Sequence, residues 1–462
     1  ILAVHSYYRL RGGEDVVFDA ETQLLESFGH DVTRFTRMND SLSDAGALAN
    51  ARKTIWNHGI ADEIRQVVKS KQIDLVHFHN TFPAMSPAVI KSAHDAGAAT
   101  VLTLHNSRIL CPKAVCFRDG QPCTDCISKS FAMPAIRNAC FHDSRLAAGV
   151  VAIQNWLHRT RKTYLRSLNL AIAPSEFVKK RYVDSGHPMP PIVVKPHFVE
   201  SGLPFGQGDG GYALFVGRLS EEKGLKVLLD AWDRLTQPIP LKIIGDGPLQ
   251  HLLNVSRDNV EYLGRLDQDD VYKTMADAAM LILPSHCAES FGRVVVEAFA
   301  CGTPVVCANQ GGQAELVHPG VGALFESGNA SELASVVDRF VENAEETIAM
   351  RDAARSEFVA KYSDEINHAQ LLDIYCQALT LRGRADAIRM KDVNLRVDPK
   401  HAMTPPYSGM SSTESEAAKL PLDPSSALTS NNASEPEPSR STESMRGHDK
   451  LGRRASTGST LG

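Results

Sequence analysis

Short β-branched and aliphatic runs alternate with helix-length amphipathic stretches over most of the chain. Residues 1–5, 31–37, 73–79 and 99–105 read as strands, and 14–28 and 87–96 between them as helices. This alternation predicts βαβ units and a parallel sheet covered by helices. Runs at 170–174 and 192–196 continue it. The span 195–211 then collects Pro196, Gly202, Pro204, Gly206, Gly208, Gly210 and Gly211, which marks a hinge or domain boundary. A second series follows, with strands at 212–216, 241–244, 260–263, 280–283 and 304–307. Helices are expected over 331–343, 344–359 and 364–381. The expected class is α/β, with two Rossmann-like, doubly wound domains at 1–196 and 197–382, the last helix free to pack back on the first domain. Open parallel sheets take ligands at the carboxyl ends of their strands, so two facing sheets predict a cleft between them.

Composition narrows the function classes. A length of 462 residues fits about two or three domains. The 49 Lys+Arg against 54 Asp+Glu give a formal net charge of −5, without the basic excess that a general nucleic-acid binder needs. No apolar run reaches the ~18–20 residues of a membrane span. No basic segment precedes an apolar stretch at the start, so no signal peptide is expected. Nine cysteines in this length are no disulfide scaffold. A cytoplasmic location follows as the expectation. From residue 383 the chain turns to Ser, Thr, Pro and Gly, and a disordered tail is expected over 383–462.

Two segments carry candidate chemistry. Gly217-Arg218-Leu219-Ser220-Glu221-Glu222-Lys223-Gly224 follows a predicted strand and opens a helix. Two cations near a helix N-terminus suit an anion, although a solvated loop whose acids favour the helix dipole reads equally well. The second segment, Glu289-Ser290-Phe291-Gly292-Arg293-Val294-Val295-Val296-Glu297, follows the strand at 280–283. Gly292 lets a ligand approach backbone amides. Glu297 lies in an otherwise apolar run and needs a partner if buried.

The spacing of Glu289 and Glu297 is E-x7-E around Glu-Ser-Phe-Gly. With Gly245-Asp246-Gly247-Pro248 and Cys301-Gly302-Thr303-Pro304, the second half resembles a family 4 retaining glycosyltransferase of the GT-B fold. Gly12-Gly13, Val76-His77-Phe78-His79-Asn80, Thr103-Leu104-His105-Asn106 and Ala173-Pro174-Ser175-Glu176 agree in the first half, so the resemblance spans about residues 1–380. It implies a nucleotide-sugar donor on the second domain, its diphosphate on Arg218 and Lys223. Glu297 would bond the ribose and Glu289 the transferred sugar, with Ser290, Phe291 and Gly292 lining that contact. Gly12 and Gly13 would approach the diphosphate, and His105 would sit beside the reacting sugar. His105, Glu289, Arg218 and Lys223 are thus the expected catalytic groups. The implied acceptor is a glycan or lipid-linked molecule in polysaccharide or envelope assembly, and no catalytic metal is implied. Asn106 stands where the family usually has Asp or a similar residue. Other readings are a nucleotide-sugar epimerase of the same fold, or a non-catalytic sensor or scaffold.

Several features lie outside that scheme. Cys111, Cys116, Cys123, Cys126 and Cys140 fall in a Cys-rich insertion over 107–144. Cys111, Cys123, Cys126 and Cys140 could supply a four-thiolate structural zinc, with Cys116 left out. Asp267-Gln268-Asp269 has the D-x-D form of a metal motif but reads better as a helix cap. His77 and His79 share one side of a strand, and a core or cleft role with a hydrogen-bond partner is the expectation. Residues 137–181 hold nine Lys and Arg against Asp143 and Glu176, interleaved with Trp156, Leu157, Tyr164 and Leu165. A packed helix with a solvated basic side, or a peripheral contact with an anionic membrane at its inner face, would each account for them.

Overall fold

The structure is a computed structural model and describes residues 1–9, 11–39, 46–255 and 257–384. The expected tail lies, from residue 385 on, outside the described residues. Chain order runs through strands β1 (Leu2–Tyr7), β2 (Thr33–Met38), β3 (Leu75–Asn80) and β4 (Ala99–Thr103). An inserted hairpin, β5 (Phe117–Arg118) and β6 (Gln121–Pro122), precedes β7 (Leu170–Ala173) and β8 (Ile192–Val194). The second series comprises β9 (Ala213–Val216), β10 (Leu241–Ile244), β11 (Val260–Gly264), β12 (Met280–Leu283), β13 (Val305–Ala308) and β14 (Gly322–Phe325). Strand β14, only Gly-Ala-Leu-Phe, is too short to show a period and was not expected.

Two six-stranded sheets result, in the orders β2-β1-β3-β4-β7-β8 and β11-β10-β9-β12-β13-β14. Every pairing in both is parallel. Helices cover both sides of such sheets, so their central strands are buried runs rather than alternating ones. Met-Leu-Ile-Leu of β12 and Val-Val-Cys-Ala of β13 follow that rule. The chain crosses to opposite sides of β1 in the first sheet and of β9 in the second. Loops leaving the carboxyl ends of β1, β3, β9 and β12 therefore border the switch points where ligands bind in such sheets.

The helix Asp364–Leu381 returns to the first sheet, where Leu371, Ile374, Tyr375 and Ala378 pack with Leu75, Val101 and Ile172. Arg382 donates to the carbonyl of His94 at 2.7 Å, extending that contact past the helix end. The insertion after β4 has little regular structure. Ala114, Cys116, Asp119, Ala139, His142 and Asp143 take positive φ, six of the nine non-glycine residues that do so among the described ones. The segment is thus shaped by tight turns rather than by a ladder.

Candidate functional site

The loops after β9 and β12 are locked together by close backbone approach. Gly224 holds φ +77°, and a Cβ on it would lie 1.9 Å from the carbonyl oxygen of Pro284. This contact brings Lys223 to Glu289: Nζ donates to Oε1 at 2.7 Å, and Ser285 Oγ donates to the same oxygen at 2.6 Å. Burial alone would raise the Glu289 pKa, but the Lys223 ammonium and the two hydrogen bonds outweigh it and hold the carboxylate below its ordinary range. Burial would likewise lower Lys223, and Glu289 reverses that.

Gly292 starts the helix Arg293–Ala300 at φ +96°. Glu297 lies one turn into that helix and ion-pairs with Arg293 at 3.1 Å. Burial raises its pKa, which Arg293 only partly offsets. Each predicted acid therefore has its own cation. Lys223 is paired with Glu289, while Arg218 is exposed and has no ion-pair partner among the described residues. Arg293, inside the motif, was overlooked; its i,i+4 spacing to Glu297 was the available signal.

In the first half, Gly12 donates its N–H to Asp15 Oδ2 at 2.8 Å, and Asp15 Oδ1 meets His5 Nε2 at 2.7 Å. A Cβ on Gly12 or Gly13 would meet nothing within 4 Å, so internal packing does not require glycine there and the space above the loop is open. His105, just past β4, is buried, with Nε2 3.1 Å from His79 Nδ1. It stacks on His197 with ring centroids 5.1 Å apart, and His197 meets Phe291 edge-on at 5.2 Å. His105 of one half and Phe291 of the other are thus joined through His197, a residue given no role in the sequence reading. Asn106 donates to the Glu14 carboxylate, and its carbonyl accepts from Tyr182 Oη at 2.9 Å. A cavity opens beside these groups, lined by His105, Asn106, Arg108, Gln154, Asn155 and Tyr182.

Behind His105 lies a buried polar network. His77 bonds Tyr375 Oη at 2.9 Å through Nδ1 and Thr103 Oγ1 at 2.8 Å through Nε2. Lys195 Nζ donates to Glu21 Oε1 at 2.7 Å, both side chains 1% exposed. His79 Nε2 lies 3.6 Å from Glu21 Oε2. Burial lowers His77 to about 4 and His197 to about 3, and holds His79 and His105 well below the ordinary imidazole value. Glu21, His77 and His79 form the one group of three His, Cys, Asp or Glu among the described residues whose ligand atoms all lie within 4.8 Å. Lys195 supplies a positive charge beside Glu21 and both His77 nitrogens are engaged, while the buried Glu21 Oε2 has no hydrogen-bond partner among the described residues.

The cysteines do not gather into such a group. Cys116, expected to be left out of a zinc set, shares a hydrogen bond with Cys111 that holds the Cys111 thiol below its ordinary range and pushes the Cys116 thiol above it. All five are free thiols. Asp267 caps the helix Gln268–Asp277, accepting from Asp270 N at 3.0 Å. No helix among the described residues is long and apolar enough to cross a membrane.

Comparison with known proteins bears on the family and the fold. The family model described as Glycosyltransferase Family 4 matches residues 11–202, and the one described as Glycosyl transferases group 1 matches 206–357. An uncharacterized glycosyltransferase of Methanocaldococcus jannaschii is 28% identical over 308 residues, covering 65% of this chain and 74% of that one. The GDP-mannose-dependent monoacylated alpha-(1-6)-phosphatidylinositol monomannoside mannosyltransferase of Corynebacterium glutamicum is 31% identical over 170 residues, 34% of this chain and 45% of the enzyme. The crystal structure of Anabaena HepE in complex with UDP shares the fold, with a TM-score of 0.56 and 20% identity over 81% of this chain and 98% of that one.

Proposed function

Because the chain belongs to the family 4 glycosyltransferases, with the GT-B fold, we propose that it moves a sugar from a nucleoside-diphosphate donor to a glycan or lipid-linked acceptor, with retention and without a catalytic metal. The observation that carries the reading is the Lys223–Glu289–Ser285 cluster at the switch point of the second sheet, with Phe291 reaching through His197 to His105. A relative named for GDP-mannose and a fold neighbour crystallised with UDP support a nucleotide-sugar donor.

In this reading the anomeric carbon–oxygen bond breaks and its electron pair leaves with the diphosphate. The acceptor oxygen bonds the same carbon, and its proton passes to the departing phosphate. Negative charge grows on the diphosphate beside Arg218, Lys223 and the amides that begin the helix at Gly292, which stabilise it without reorganising. Glu289, kept ionised by Lys223, accepts hydrogen bonds from sugar hydroxyls. Glu297 takes the ribose.

A panel of nucleotide-sugars screened by thermal shift should raise the melting temperature for one donor class. With that donor, Glu289→Ala should lower turnover by roughly 10²–10³. Product of inverted configuration refutes the mechanism. Conversion of the donor into an epimer without acceptor replaces transfer by the epimerase reading, and activity abolished by EDTA and restored by a divalent ion refutes the metal-free scheme.

A further inference from the structure

Helix Arg145–Thr160 is built the wrong way for a helix whose outer side meets only water. A surface helix turns apolar residues inward and charged ones outward. The inner side complies, with Ala148, Val151, Ala152, Gln154 and His158 buried. The outer side carries Leu146, 85% exposed, with Ile153 and Trp156, each 42% exposed. Gly149, Val150 and Leu157 are partly exposed between them. At 3.6 residues per turn these positions form one continuous stripe, and no charged residue lies on it. Of the four residues that the sequence pattern interleaves with the cations, Trp156 and Leu165 are exposed, Leu157 is partly exposed and Tyr164 is buried.

Cations border the stripe. Arg145 is exposed at the helix start, and Arg161 and Lys162 are exposed just past its end. The helix Thr163–Ser167 that follows adds Leu165, 43% exposed, and Arg166. Over residues 127–168 seven Lys and Arg stand against Asp143 alone, in a chain whose formal net charge is −5. Other sides of the same helix bring Gln154 and Asn155 to the cavity beside His105.

We propose that this surface docks on an anionic lipid bilayer. The apolar stripe would enter the headgroup–acyl boundary, and the bordering guanidinium and ammonium groups would meet lipid phosphates. The two features together select that partner. An interfacial helix needs apolar depth and a cationic margin, and Trp156 is of the type that settles at headgroup level. A two-fold contact with a second copy would set the same cations against themselves. The inference stands on this surface alone. Where it joins the proposed function, it would present the cavity beside His105 to acceptors held in a membrane.

Flotation of the full chain with phosphatidylcholine vesicles, with and without phosphatidylglycerol, tests it. Binding is expected only with phosphatidylglycerol, weakening as salt rises, with a blue shift of tryptophan emission that Trp156→Phe removes. The double variant Leu146→Glu/Ile153→Glu and the double variant Arg145→Glu/Arg166→Glu should each lower binding at least ~tenfold. All four positions are exposed, so an unchanged melting temperature certifies the fold. Thermal-shift response to the donor should stay intact in both, which separates failure here from failure of the transferase reading. Equal binding to both vesicles, no binding to either, or self-association abolished by Leu146→Glu/Ile153→Glu would overturn the proposal.

Discussion

The two sheets share a parallel, doubly wound topology and differ in what they bury. Strands β12 and β13 are apolar from end to end. Strand β3 buries His77, His79 and Asn80, and β4 buries Thr100 and Thr103. Around them His5, Glu21, His105, Lys195 and His197 are also buried. In the second half Lys223 and Glu289 stand in loops at the strand ends, and Arg351, on the helix Ala344–Lys361, is the one charged residue there that is buried among the described residues, bonded to backbone carbonyls alone. In the first half they run through the interior from His105 to Tyr375 on the last helix. The same architecture therefore separates chemistry from packing in one half and joins them in the other. Damage to the polar groups should read out as lost turnover in the second half and as lost fold in the first.

The sharpest break of that contrast is Glu21→Gln. It leaves the Lys195 ammonium buried beside an amide, and removing one member of a buried pair costs about 3–5 kcal/mol. Urea unfolding should show the loss, and the double variant Glu21→Gln/Lys195→Met should recover most of it because no charge is stranded. Glu289→Ala also removes a lysine partner, yet Lys223 is 27% exposed and can turn to water. Its stability should fall far less than that of Glu21→Gln while turnover collapses. Equal destabilisation of the two variants would erase the distinction.

This contrast was half legible in the sequence. Most strands of the second half, β14 excepted, read as short apolar runs, and the loop residues Lys223 and Glu289 and the helical Glu297 stand out because charge interrupts that pattern. In the first half β3 was recognised despite its histidines, but their partners were not. Glu21 sits in a helix and Lys195 at a strand end, 174 residues apart, and no local pattern connects them. His197 was unreadable for the same reason, since its contacts to His105 and Phe291 come from different sheets. The Lys223–Glu289 pair could not be foreseen as a pair either. Both were read as ligand groups, whereas the close packing of Gly224 on Pro284 is what joins them.

Acidification should distinguish the halves next. A histidine whose folded pKa lies below the unfolded value near 6.5 withholds a proton that the unfolded chain takes up. His77, His79, His105 and His197 all stand on that side through burial. They leave stability unchanged above about pH 6.5 and each removes up to roughly 1.4 kcal/mol per pH unit below it. Glu21, lowered by Lys195 against the pull of burial, adds a loss in the same direction at lower pH. Glu297, raised by burial, acts the other way in the second half. Hydrogen exchange corrected for its intrinsic pH dependence should show β3 and β4 losing protection between pH 7.5 and 5.5 before β12 and β13 do. Simultaneous loss would mean that the polar core is not the acid-sensitive element.

The smallest effect expected lies where the halves touch. Glu315 of the second half sets its two carboxylate oxygens against the helix Glu176–Asp184 of the first, accepting from Glu176 N at 3.0 Å and Phe177 N at 2.5 Å. A carboxylate at a helix N-terminus is favoured by the free amides and the dipole there. Beside it Ser175 Oγ accepts from Val178 N at 3.2 Å and donates to the carbonyl of Ser290 at 2.7 Å. That carbonyl belongs to the residue after Glu289, so the clasp holds the candidate sugar-binding loop from the opposite half. Glu315→Gln keeps one acceptor and loses the charge, a change of about 1 kcal/mol, or about fivefold in an affinity. The donor KM should rise by about that factor while kcat moves less, because the reacting groups stay in place. Burial raises the Glu315 pKa, so the clasped state takes up the proton more readily than an open one, and by linkage acid should not part the halves through this residue. Fluorescence energy transfer between labels on the two halves should therefore show a longer distance in Glu315→Gln at neutral pH and no lengthening on mild acidification of the unaltered chain. A distance that lengthens with acid in the unaltered chain would mean that another titrating group holds the halves together.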